Sequence, residues 1–252
     1  MSNFRKGWQT MAKPVIIALD YADGAAAQAL LTQFSGEDDL WIKVGMELFY
    51  REGPQFITAL RSRGYHVFLD LKLYDIPHTV HQAMQQIGRL GAELTTVTGL
   101  GGADMISAAK EGLLEGAAEA GTTAPKLLAI TQLTSMDEQA MHVTMQNDDF
   151  SLLNSVVHLA QLAATSGADG VISSALEVGK IHDATPAGFL TITPGIRLAE
   201  DARDDQSRVV TPRRAAELGS DGIVVGRSIT QAKDPVAAYH AISQQFEGST
   251  VY

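Results

Sequence analysis

Short runs of aliphatic and β-branched residues alternate with longer segments of helical periodicity along the whole chain. The pattern predicts strands near Val15–Leu19, Leu40–Val44, His66–Leu71, Glu93–Thr98, Lys126–Thr131, Gly170–Ser173, Phe189–Thr193 and Gly222–Val225. Between them it predicts helices over Gly24–Phe34, Pro54–Arg63, His78–Leu90, Ala103–Ala120, Leu152–Thr165, Ala175–Asp183, Arg213–Leu218 and Pro235–Phe246. Several strand runs are almost wholly apolar, as parallel strands covered on both faces are. Glycine recurs between a helix and the next strand, at Gly64, Gly91, Gly167 and Gly219, where a left-handed cap ends a helix without steric cost. Gly167-Ala-Asp-Gly170 and Gly219-Ser-Asp-Gly222 read as one repeated turn. Eight such units in roughly 240 residues match a single-domain (β/α)8 barrel, with an open doubly wound sheet as the competing arrangement. Two connections are long and polar, Thr134–Asp149 and Leu198–Val210. The second carries Glu200, Asp201, Arg203, Asp204 and Asp205 and has the make-up of a lid.

Composition narrows the class. The 252 residues are 45% apolar, enough for a sizeable core, and no composition break marks a linker. A net charge of −10 argues against a general nucleic-acid or anionic-membrane binder. The absence of cysteine excludes disulfides, thiolate metal sites and a thiol nucleophile. The longest apolar runs fall well short of the about 20 residues that a membrane span takes. Residues 1–13 hold Arg5, Lys6 and Lys13 but no apolar stretch, so they read as an N-terminal extension, with Met11 an alternative start and 14–252 forming the barrel. A soluble cytoplasmic protein is expected.

Charges stand where barrel strands should be apolar. Asp20 ends the first strand, Lys43 lies in the second, and Asp70 and Lys72 end the third, with Asp75 in the loop beyond. Side chains two apart on a strand share a face, so Asp70 and Lys72 point the same way. One such charge is ordinary, but four at the same end of three strands, on the face where barrel enzymes place their chemistry, predict a site. The last two strands supply its other half. Thr193-Pro-Gly-Ile-Arg197 and Val225-Gly-Arg227-Ser sit where this architecture often cradles phosphate, with Gly226 admitting backbone N–H groups and Arg227 offering a bidentate fork. Other candidates carry less. His78 and His81 read as solvated first-turn histidines, Gly99-Leu-Gly-Gly102 as a tight turn lining the site, and Met46 and Met84 as packing.

The segment Asp70-Leu-Lys-Leu-Tyr-Asp-Ile-Pro-His-Thr79 resembles the signature of the orotidine 5′-phosphate decarboxylase family, in its bacterial form. Val15-Ile-Ile-Ala-Leu-Asp20, Trp41-Ile-Lys-Val-Gly-Met-Glu47, Leu133-Thr-Ser-Met136, Thr193-Pro-Gly-Ile-Arg197, Gln206 and Gly226-Arg227 resemble its other blocks, in order, from Val15 to Phe246. The resemblance implies that Lys72 donates a proton to C6 of the pyrimidine as CO2 leaves. It puts Asp70 beside the substrate carboxylate, in an alternating array with Lys43 and Asp75. It gives Asp20 and Lys43 to the ribose hydroxyls, Thr134, with Ser135 a second candidate, to the pyrimidine edge, and Arg197, Gln206, Gly226 and Arg227 to the phosphate. Asp75 and Thr79 are implied to reach a neighbouring subunit's site, which makes the enzyme a homodimer. No metal and no organic cofactor are implied. Thr98 stands where the family commonly has histidine, so the resemblance predicts a site tuned rather than inactive. A magnesium-dependent sugar-phosphate decarboxylase of the same superfamily is the nearest alternative, but Lys43 occupies its metal-binding glutamate position, and an ammonium cannot ligate Mg2+. A non-catalytic nucleotide-binding barrel should have lost part of the array, and a Schiff-base aldolase using Lys72 is formally open.

Overall fold

A computed structural model describes residues 13–198 and 209–248. Eight parallel strands close into a barrel in chain order: β1 (Val15–Ala18), β2 (Trp41–Gly45), β3 (His66–Leu73), β4 (Leu94–Thr98), β5 (Lys126–Ile130), β6 (Gly170–Ile172), β7 (Leu190–Thr193) and β8 (Gly222–Val225). The helices are α1 (Gly24–Gln33), α2 (Met46–Glu52), α3 (Pro54–Ser62), α4 (Pro77–Gly88), α5 (Gly102–Ala120), α6 (Glu138–Met145), α7 (Leu152–Thr165), α8 (Val178–Ala184), α9 (Pro212–Glu217), α10 (Arg227–Thr230) and α11 (Pro235–Glu247). The single-domain barrel is therefore the fold, and the open sheet is not. The expected extension lies outside the described residues except for Lys13, whose Nζ donates to the Ser220 carbonyl at 2.8 Å.

Besides the four-residue α10, two helices were not legible from the pattern. α2 buries only Leu48 and has no capping side chain. α6 occupies the connection expected to be a long polar loop; it buries only Met141, but Asp137 caps it by accepting from Ala140 N. Short helices with one buried side chain leave almost no periodic trace.

The alternation of strand residues makes two cores. One face packs outward against the helices, through Ile17, Ile42, Val67, Leu69 and Val171 among others. The other fills the barrel with Ile16, Ala18, Trp41, Phe68, Leu94, Leu128, Leu190, Ile192 and Val224. Outside, α4 and α5 approach closely enough for glycine to be required. A Cβ at Gly112 would stand 2.2 Å from the His81 carbonyl oxygen, and one at Gly116 only 1.9 Å from that of Gln85.

At the end where strands begin, three acids repeat one device. Glu93, Asp169 and Asp221 each precede an even-numbered strand and accept the backbone N–H of Val67, Leu127 and Thr191 respectively, at 2.7, 2.8 and 2.8 Å. Each is also paired with a cation or imidazole: Arg61 and His66 with Glu93, Lys110 with Asp169, His182 with Asp221. This is the repeated Gly-Ala-Asp and Gly-Ser-Asp turn seen in the sequence. His66 is pushed up in pKa chiefly by its hydrogen bond to Glu93, and Asp221 is held below the usual range because the His182 and Thr191 bonds outweigh its burial.

Candidate active site

The inward positions of each strand turn from apolar to polar toward the C-terminal mouth. β1 reads Ile16, Ala18 and then Asp20; β2 reads Trp41 then Lys43; β3 reads Phe68, Asp70 and then Lys72. There a cavity of about 270 Å³ is lined by Asp20, Lys43, Asp70, Lys72, Thr134, Arg197, Gly226 and Arg227, over an apolar floor of Phe68, Ile130, Ile172 and Val224. A larger cleft of about 790 Å³ opens at the opposite end, but its walls include Arg61, Glu93, Lys110 and Asp169, the groups that anchor strand starts. The smaller cavity holds the unexplained charge.

Its centre is a chain of ion pairs. Lys43 Nζ lies 3.3 Å from Asp20 Oδ1 and 3.5 Å from Asp70 Oδ2, and Lys72 Nζ lies 2.8 Å from the same Asp70 Oδ2. Asp70 is only 7% exposed. Burial pushes its carboxyl pKa up, but the Lys43 and Lys72 charges, with hydrogen bonds from Lys72 and Thr96, outweigh burial and hold it below the ordinary value. The carboxylate is thus an anion with two ammonium partners.

Arg197 is buried beside Pro194 and Gly195 on the far wall, with Nη1 donating to the Ile196 carbonyl at 3.2 Å. Its backbone N–H bonds the Val210 carbonyl at 3.1 Å, and Ile196 bridges Val210, so the long loop leaves and returns at one point. Most of that loop, Gln206 included, lies outside the described residues. Gly226 precedes the four-residue α10 that Arg227 opens. A Cβ at Gly226 would meet only Ala18 and Asp20, at 3.8 and 3.9 Å, so packing against the protein does not demand glycine there.

Asp75 and Thr79, expected at a neighbouring subunit's site, do not line this chain's own cavity; both are exposed, and Asp75 Oδ1 accepts from Ile76 N at 2.7 Å. The charge chain along this cavity is therefore Asp20–Lys43–Asp70–Lys72. Thr134 lines the cavity and Ser135 does not. Thr98 and the Gly99 turn do not line it either; instead the Thr98 hydroxyl donates to the Lys72 carbonyl at 3.3 Å. His81 is not solvated but pairs with Glu115 of α5 at 3.2 Å. Met84 is fully buried as expected, whereas Met46 is 44% exposed. Sequence reading also missed Gln132, a cavity-lining residue whose amide donates to Ser155 Oγ at 3.0 Å; it continues the inward series Leu128–Ile130, which is the signal that could have found it.

A barrel with a cationic pocket at the C-terminal mouth, fed by the first three strands and the last two, defines an enzyme class that acts on anionic small molecules. Residues 13–242 match the model of the orotidine 5′-phosphate decarboxylase / HUMPS family, and the chain belongs to it. It is 53% identical over 240 residues to orotidine 5′-phosphate decarboxylase of Lactiplantibacillus plantarum, covering 94% of this chain and 99% of the relative. It is 48% identical to that of Bacillus cereus strain Q1, covering 96% of this chain and all of the relative. The crystal structure of orotidine 5′-phosphate decarboxylase from Lactobacillus acidophilus superimposes with a TM-score of 0.82 at 45% identity, over 93% of this chain and 99% of that one.

Proposed function

We propose that the chain decarboxylates orotidine 5′-phosphate to UMP and CO2, the last step of UMP synthesis. The observation that carries this reading is the unbroken Asp20–Lys43–Asp70–Lys72 chain, facing Arg197 and Arg227 across one cavity. Arg227, Arg197, Gly226 and Gln206 hold the phosphate, Asp20 and Lys43 the ribose hydroxyls, and Thr134 the pyrimidine edge. The substrate carboxylate lies beside Asp70. As the bond from C6 to the carboxyl carbon breaks, its electron pair stays on C6, where the fixed Lys72 ammonium stabilises it and then gives up a proton. Solvent returns that proton to Lys72. The remote phosphate contacts supply binding energy whose benefit is realised in the transition state.

The reaction as read here takes neither metal nor organic cofactor. Lys43 supports this over the magnesium-dependent alternative, because it puts an ammonium where that chemistry needs a carboxylate. Among the described residues, no group of His, Asp and Glu gathers into a set able to hold a metal ion. The assembly proposed is a homodimer with shared sites, in which Asp75 and Thr79 complete the partner's cavity. Its support is twofold: neither residue reaches its own cavity, and Met46, Tyr50, Tyr74, Ile76 and Leu100, all on connections after β2, β3 and β4, expose apolar surface at the same end. No described helix is long and apolar enough to cross a membrane. Together with the acidic balance this fits a cytoplasmic enzyme binding neither membrane nor nucleic acid. The direct test follows the absorbance loss of orotidine 5′-phosphate with purified, metal-stripped protein. Turnover without added metal is expected; activity that returned only with Mg2+ would replace this reading by the metal-dependent one.

A further inference from the structure

Lys72 has a φ of +52°, in the left-handed region that a lysine seldom adopts. The register explains why it is out of line. Leu69 pairs with Thr95 and Leu73 with Val97, so Asp70, Leu71 and Lys72 together oppose a single residue, Thr96. A bulge of this kind takes backbone groups out of the ladder, and something else has to hold them.

Thr96 does so. Its fully buried hydroxyl accepts the Lys72 backbone N–H at 2.9 Å and donates to Asp70 Oδ1 at 2.9 Å. Asp70 Oδ2 in turn holds Lys72 Nζ at 2.8 Å. The four groups close a ring, from Lys72 backbone through Thr96 and Asp70 to the Lys72 ammonium. One hydroxyl therefore sets both ends of the same lysine, the bulged backbone directly and the ammonium through the carboxylate. Because Thr96 does not line the cavity, it acts on a bound molecule only through those two residues.

We propose that Thr96 is a positioning residue for decarboxylation, holding the strained Lys72 bulge and the Asp70 carboxylate in the one arrangement that aims the ammonium. This rests on the reading of Lys72 as proton donor. Thr96→Val keeps the volume and β-branching but removes the hydroxyl, leaving Lys72 N–H and Asp70 Oδ1 without that partner. Losing a buried hydrogen bond to a charged group predicts kcat lower by about 10–100-fold, with KM changed less than about threefold, because the contact aims the donor and does not touch the substrate. Thr96→Ser restores the hydroxyl and should keep kcat within about threefold of the parent.

Steady-state kinetics of the parent and both variants on orotidine 5′-phosphate separate the outcomes. An unchanged kcat in Thr96→Val, or equal losses in Val and Ser, would overturn the positioning role, the second by showing that packing is what matters. A loss confined to KM would also overturn it. A parent enzyme without decarboxylase activity would remove the functional reading itself, and the role with it. If Thr96→Val does not fold, Thr96→Cys takes its place: its thiol is a weak donor and acceptor, so kcat should fall several-fold below that of Thr96→Ser. Equal kcat in Cys and Ser would refute the role.

Discussion

Replacing Gly116 by alanine tests how the helix layer positions the mouth. In an isolated helix the change should stabilise, by about 1 kcal/mol, since glycine is the poorer helix former. Here the new methyl would stand 1.9 Å from the Gln85 carbonyl oxygen and 2.7 Å from its carbon. Both are backbone atoms of α4, so no side chain can swing aside, and ordinary contact requires the helices to part by about 1.5 Å. Gly112 against His81 and Gly88 against Leu113 make the same close approach, at 2.2 and 2.5 Å, so the whole seam has to open. Overpacking of this kind costs about 3 kcal/mol at the upper end of its range, which leaves a net loss of about 2 kcal/mol. For a domain of this length that is a fall in Tm of about 4–8 °C. α4 begins at Pro77, two residues beyond Asp75, so the displacement should reach the segment proposed to enter the partner's site and lower kcat as well. Thermal denaturation of Gly116→Ala beside Gly179→Ala, whose added methyl would meet nothing within 4 Å, checks the sign. The first should lose stability and the second should not. A Tm for Gly116→Ala equal to or above that of the parent would refute the seam argument.

Lys72→Ala should lower kcat at least about 100-fold while the folded protein persists, because it deletes the proposed proton donor; near-normal turnover would remove that role. Mixed Lys72→Ala and Asp75→Ala chains should recover activity, since random pairing makes about half the dimers hybrid, each with one intact site, or roughly a quarter of parental activity per site. No recovery after demonstrated subunit exchange would place Asp75 outside a shared site. Arg227→Ala should cost about 30-fold or more in kcat/KM on the phosphorylated substrate and little on the nucleoside, whereas equal losses on both would deny the phosphate contact. The Asp221 pKa is lowered in the folded protein from a usual value of 3.8, so its stabilising contribution is complete above that value and is lost as pH falls below it. Melting curves between pH 3 and 6 should show Asp221→Asn losing less Tm on acidification than the parent; parallel curves would show that Asp221 does not contribute to the acid limb.

The barrel was legible because eight apolar runs alternate with eight helical ones, and each observed strand falls within a residue of its expected span except β3, which runs two residues further, to Leu73. The charge chain was legible for a related reason: Lys43, Asp70 and Lys72 continue inward-facing series that are apolar below them. What stayed hidden depends on contacts that one strand's sequence does not contain. The i, i+2 rule rightly brings Asp70 and Lys72 together, yet the backbone between them is bulged and Lys72 is left-handed. Nothing in Leu71-Lys72-Leu73 announces that, because the bulge is defined by the register with β4. Thr96 was invisible for the same reason, being an ordinary strand threonine until Asp70 and Lys72 N–H are seen against it. Asp75 shows the opposite case, a residue readable in the motif that one chain's structure leaves in solvent.

The two ends of the barrel use the same kinds of residue to different ends. At the strand starts each acid is satisfied by a backbone N–H as well as a cation or imidazole, so its charge is consumed in fixing a neighbouring strand. At the mouth, Lys43 and Lys72 converge on one oxygen of Asp70, and Arg197 and Arg227 face them. Among the described residues the charged lining there is four cations against two carboxylates, Asp20 and Asp70, in a chain whose overall charge is −10. Low-dielectric walls of Phe68, Ile130, Ile172 and Val224 keep part of that surplus out of water, so its attraction for a bound anion is screened less than it would be at an open surface. A ligand that carries a phosphate at one side and a carboxylate at the other balances the surplus at both places. In the proposed reaction, loss of the carboxylate as CO2 removes one anion from the Lys72 side as C6 becomes negative, so the field that binds the substrate is already aligned with the charge the reaction creates.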